Sequence, residues 1–142
     1  MNAATGSSPS RLPGPSLEAF EALDFDVARF DHQAHVCVAW RYLQNYDVLT
    51  AIDRYRRTLR TLTCKLGVPE KYHETITWFY LLAVSARAGA PAASDWQRFK
   101  AGNPELFASH PDYIYRYYTA DCLASDLART RFVLPDRLAT EP

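Results

Sequence analysis

Three of the chain's four histidines fall in two short stretches. His32 and His35 lie in "FDHQAHVCVAW" (residues 30–40), and His73 lies in "KYHETITW" (residues 71–78). Neutral imidazole is the commonest side-chain ligand for zinc, copper, iron and nickel. A three-histidine set also leaves a coordination position open for water, dioxygen or substrate, as a catalytic metal requires. The pattern therefore predicts that His32, His35 and His73 hold one transition-metal ion, copper, iron or zinc. That ion would serve redox or hydrolytic chemistry on a small organic substrate, aromatic ones included. Asp31 and Glu74 are the expected acceptors that orient the rings, and His110 beside Asp112 is a candidate fourth group. His32 and His35 stand one helical turn apart, a spacing that also arises by chance. A single ExxH, Glu70 with His73, argues against a di-iron carboxylate site.

The same residues support two metal-free readings. A histidine at a helix N-terminus has its charged form disfavoured by the helix dipole, which suits a general base near neutral pH. In that reading His73 and Tyr80 are the catalytic residues, with His35 as an alternative partner. Tyr72, Thr77 and Tyr80 accompany His73, with Thr77 and Tyr80 on its helical face, while Ala39, Tyr42 and Tyr46 continue along the first strong helix. These residues are expected to line an aromatic, partly polar pocket. The other reading is a ligand-binding or protein-interaction module whose histidines are structural. The sequence does not decide whether the chain is an enzyme.

Helices must position these groups. Asp31 is a good N-cap for a helix running to about Asn45, with His32, Val36, Ala39, Trp40, Leu43 and Tyr46 on one face. Cys37 and Arg41 lie opposite. Asp47 caps a second helix, Val48 to Leu66, striped by Ile52, Tyr55, Leu59, Leu62 and Leu66. Its arginines 54, 56, 57 and 60 read as solvated. Gly67 suits a left-handed C′ position and Pro69 blocks continuation, so the two helices form an antiparallel hairpin. A third helix is expected over residues 70–88, its centre "WFYLLAV" apolar on all sides and so the buried middle of the bundle. If the three run up, down and up, the histidines gather at one end.

Beyond it the elements shorten. Ser94 is a candidate cap for a helix through Lys100, "GNPELF" and "HPDYIYRYYT" each suggest a brief turn of helix, and Thr119 would cap "ADCLASDLARTRF". The fold class is all-α, a compact bundle of about three main helices plus shorter C-terminal ones. Residues 1–16, rich in Ser, Pro and Gly, are expected as a disordered tail, and residues 17–142 as one domain.

Composition narrows the function classes. Across 142 residues, hydrophobic types make up 48% and charged types 23%, values of a globular protein with a real core. Sixteen basic and sixteen acidic residues cancel, so no global field recruits nucleic acid or an acidic membrane. Three cysteines, Cys37, Cys64 and Cys122, are odd in number and far apart, against a disulfide framework or a CxxC zinc site. They read as small buried hydrophobes in a reducing, cytoplasmic setting. No apolar run spans a bilayer, and there is no P-loop, GxGxxG, GxSxG or HExxH. The partner expected is a small-molecule substrate, and a homo-oligomer is compatible with everything above. Leu59 and Leu82 are expected in the core, and His73→Ala is expected to cost more in function than in stability.

Overall fold

The computed structural model describes residues 12–88 and 95–137. It is all-α, with no strand among the described residues. The helices are α1 (Leu17–Glu21), α2 (His32–Asn45), α3 (Val48–Lys65), α4 (Glu74–Arg87), α5 (Trp96–Gly102), α6 (Ala120–Ala124) and α7 (Asp126–Thr130). Short 3₁₀ turns occupy Val27–Arg29, Pro69–Lys71, Pro104–Phe107 and Tyr113–Arg116.

Local chemistry sets the boundaries of the hairpin. The Asp31 carboxylate accepts the Ala34 amide at 2.9 Å, fixing the start of α2. Asp47 holds the extended cap conformation before α3, although its side chain makes no capping bond. Gly67 terminates that helix at φ +77°, a conformation an L side chain resists. Pro69 then opens a 3₁₀ turn, and Tyr72 and His73 run extended. As a result α4 begins at Glu74 and not at Glu70.

The central helix is α2. Ala34, Val36, Cys37, Val38, Ala39, Trp40 and Tyr42 are all buried, because α2 has core on two sides. Val36, Cys37 and Trp40 pack with Tyr80, Val84, Trp96, Phe99 and the C-terminal Ile114 and Tyr118. Val38, Ala39 and Tyr42 pack with Phe20, Ile52, Tyr55 and Leu81. The all-round apolar centre of α4 is not matched by all-round burial: Leu81 and Val84 are 0% exposed but Leu82 is 36% exposed.

The arginines of α3 are not simply solvated. Arg54 grips both oxygens of Glu21 at 2.7 and 2.8 Å, tying α1 to α3 and holding the Glu21 carboxyl below the usual carboxylate range. Half-buried Arg56 reaches the buried Glu74. Leu12 and Gly14, expected within the tail, pack against the α2 side of the core; residues 1–11 lie outside the described residues. A Cβ on Gly14 would meet the Ala34 carbonyl oxygen at 2.9 Å and the Val38 side chain at 3.0 Å, so only glycine allows this approach.

The C-terminal third differs from its expectation in two places. Asp95 caps α5, accepting the Gln97 and Arg98 amides, and Ser94 lies outside the described residues. The stretch after Thr119 is two helices, because Ser125 turns extended and its hydroxyl caps α7 at the Ala128 amide.

The core assignment predicts unequal costs. Leu59→Ala should lower unfolding free energy by about 2–5 kcal/mol, whereas Leu82→Ala, already part-solvated, should lower it by less than about 1 kcal/mol. Urea denaturation of the two variants measures both.

Candidate functional site

A cavity of about 380 Å³ lies at one end of the bundle. The start of α2 contributes His32, His35 and Val36; the middle and end of α3 contribute Tyr55, Leu59 and Thr63; the first half of α4 and the residues before it contribute Lys71, Tyr72, His73, Ile76, Thr77 and Tyr80. Phe30 and Asp31 complete the lining. For these segments to meet, α3 runs antiparallel to α2, and α4 runs parallel to it.

The three histidines share this lining, and their hydrogen bonds differ. His73 is the N-cap of α4. Its Nδ1 accepts the Ile76 amide at 3.1 Å and its Nε2–H donates to the Leu123 carbonyl at 2.7 Å. Both ring nitrogens are therefore committed, and no lone pair is free for a metal ion or for proton abstraction. His32 donates Nε2–H to the Leu106 carbonyl at 2.8 Å and lies edge-on to the Tyr80 ring at 4.7 Å. His35 donates Nδ1–H to the Asp31 carbonyl at 2.9 Å and stacks on Phe30 at 4.0 Å. Among the described residues, His35 Nε2 and His32 Nδ1 have no hydrogen-bond partner. Burial pushes the His35 imidazolium below its ordinary pKa, the Asp31 carbonyl opposing only in part. No group of three or more His, Cys, Asp or Glu among the described residues is placed to hold a metal ion.

The hydroxyls around the cavity are largely turned to the backbone. Thr77 donates to the His73 carbonyl at 2.8 Å, and Tyr55 donates to the His35 carbonyl at 3.2 Å. Tyr80 accepts the Ile114 amide at 3.3 Å, and burial pushes its phenol up to about 12. A phenol so raised stays protonated near neutral pH.

The expected acceptors are occupied as well. Asp31 caps α2. Glu74 is buried and takes three donors: the Tyr72 hydroxyl at 2.5 Å, Arg56 Nε at 3.1 Å and Trp78 Nε1 at 3.1 Å. Burial, together with this carboxylate, drives the Tyr72 phenol pKa well up. His110 sits exposed in a turn away from the cavity lining.

Ala39, Tyr42 and Tyr46 do not line this cavity. Ala39 is buried in the cluster on the other side of α2, the Tyr42 hydroxyl donates to Glu21 at 2.7 Å, and Tyr46 is exposed beneath the Arg54 guanidinium. A helical wheel superimposes residues that the helix separates along its axis. Tyr46 stands eleven residues past His35, roughly 16 Å at 1.5 Å per residue. The lining residues that the histidine pattern missed are Phe30, Val36, Tyr55, Leu59, Thr63, Lys71 and Ile76. For Tyr55, Leu59 and Thr63 the signal was the antiparallel hairpin, which brings the middle and end of α3 to the start of α2.

Compared with protein-family models, curated proteins and solved structures, the chain matches none. Among the described residues, no helix is long and apolar enough to cross a membrane.

Two predictions follow from the imidazoles. His73→Ala removes a cap and an inter-element tether, and should lower stability by about 1–3 kcal/mol. His73→Asn, which can still cap, should recover about 1 kcal/mol of that loss; thermal denaturation of both variants reads the difference. For His35 the folded pKa lies below the ordinary 6.5, so the unfolded chain binds more protons once pH drops beneath that value. Stability should therefore fall on acidification below about pH 6.5, and His35→Gln should flatten that part of the stability–pH curve.

Proposed function

We propose that the histidine-end cavity binds a small organic molecule with an apolar, ring-sized body, and that His35 is the group that recognises it. One observation carries this reading. The cavity wall is mostly aromatic and aliphatic, its hydroxyls are bonded to the backbone or to Glu74, and half-buried His35 keeps one ring nitrogen without a partner among the described residues. Ligand sites in bundles have this composition: apolar walls and a few polar groups that fix orientation. Held by the Asp31 carbonyl, the imidazole presents an acceptor at Nε2, able to take a ligand N–H or O–H or to act as a general base. In this reading His73 is scaffold, because a general base needs the lone pair that Ile76 occupies.

A second reading keeps the metal. His32 Nδ1 and His35 Nε2 are the uncommitted nitrogens of the lining, and they offer a copper, iron or zinc ion two imidazoles in place of three. Elemental analysis of the purified chain separates the two readings. Near-stoichiometric metal that is lost in His35→Ala favours the second.

The first reading is tested with a library of small aromatic fragments, followed by amide chemical shifts. Binders should perturb residues 30–36 and 72–80 and should weaken as pH falls through the His35 titration. Ile76→Trp, which fills the cavity, should abolish binding while the chain stays folded. Fragments that leave these residues unmoved, or that bind the Ile76→Trp variant equally well, would remove the reading.

A further inference from the structure

We propose that the ligand of this cavity is an organic anion, its apolar body among the histidines and its carboxylate or phosphate head at a rim formed by Lys71 and Arg60. This inference rests on reading the cavity as a small-molecule site. Two charged side chains of fixed sign line the cavity, Lys71 and Asp31; the Asp31 carboxylate keeps its charge but sits at the start of α2, capping the Ala34 amide, where the helix dipole offsets part of it.

A second cavity of about 250 Å³ shares Thr63 and Tyr72 with the first, so the two adjoin along a common wall. Its charged lining is Arg60 and Arg129, with no acidic side chain. Arg129 meets Asp126 at 3.5 Å, through a carboxylate that is 95% exposed, so that pairing is weak and leaves the guanidinium available.

Arg60 stands apart from the other arginines of its helix. Arg54 is paired with Glu21, Arg56 with Glu74 and Arg57 with Asp53. Arg60 has no carboxylate partner among the described residues, and its guanidinium lies over the Tyr72 ring at 5.7 Å. Lys71 likewise has none. In a chain whose sixteen cations and sixteen anions balance overall, like charges collected around one pair of cavities attract an anion from outside. The planar fork of arginine suits the geometry of carboxylate and phosphate, and an ammonium at the rim adds a point charge. Tyr72 and Thr63, common to both cavities, are where one molecule would touch the apolar chamber and the basic one together.

The test uses three probes of one shape: naphthoate, naphthyl phosphate and the neutral naphthamide, titrated calorimetrically into the full chain. At low ionic strength the anions should bind about tenfold tighter than the amide, and added salt should shrink that preference. Arg60 and Lys71 are exposed, so Arg60→Gln and Lys71→Gln should fold normally. Each should weaken the anions while leaving the amide unchanged. A stronger effect of Arg60→Gln on the phosphate than on the carboxylate identifies the head group as phosphate, and the reverse identifies carboxylate. Equal affinity for anion and amide, or an anion preference intact in the double variant, would overturn the inference and leave the cavity reading standing. If none of the three binds, the cavity reading fails and the inference with it.

Discussion

The architecture depends on three consecutive residues at the start of α4, each bonded in a different direction. His73 caps its own helix and holds the Leu123 carbonyl at the end of α6. Glu74 collects Arg56 from α3 and Tyr72 from the preceding turn. Thr75, fully buried, donates to the Arg131 carbonyl at 2.7 Å and accepts the Val133 amide at 3.1 Å. Three otherwise separate parts of the chain are thereby fixed to one helical turn: the hairpin, the C-terminal helices and the segment that follows them. That turn is also one wall of the cavity, so the rigidity of the site is the rigidity of this knot.

The chemistry of the knot explains its residue types. A helix N-terminus needs an acceptor for its free amides, which Asp or Ser usually provides. Imidazole provides the same acceptor at one nitrogen and carries a donor on the opposite side of the ring, so it can cap a helix and hold a second element at once. Glu74 is a different case. Burying a carboxylate is costly unless its charge is met and its lone pairs are filled. Arg56, Tyr72 and Trp78 meet both conditions. Such a network adds little net stability compared with apolar packing, and its value lies in permitting one arrangement of α3 against α4.

Much of this fold was legible from local rules. The cap at Asp31, the stop at Gly67 and the antiparallel hairpin follow from capping chemistry and helical periodicity, and they suffice to give an all-α bundle. What was not legible depends on partners distant in sequence. Nothing near Arg56 announces that Glu74 will pull it out of solvent, and no local signal shows that Leu82 stays half-open while Leu81 is sealed. The start of α4 was misplaced because a histidine is not an expected cap, and the extended Tyr72 and His73 are set by contacts with α3 and α6. In the cavity, periodicity was informative about which face a residue occupies and silent about its height along the axis. That is why His32, His35 and Thr77 share a lining from which Tyr42 and Tyr46 are absent.

Histidine spacing alone could not tell which of the imidazoles is chemically available. Availability is set by which nitrogen each ring surrenders to the backbone. His32 gives up Nε2 and His35 gives up Nδ1, each to a carbonyl, so the two rings one turn apart keep opposite nitrogens open. His73 gives up both. A carbonyl can only accept and an amide can only donate, so these partners fix the protonated nitrogen of each ring wherever they bind. Three identical side chains around one cavity thus divide into a strut and two rings that each keep one nitrogen open. The division is made by backbone groups, the Leu106, Asp31 and Leu123 carbonyls and the Ile76 amide.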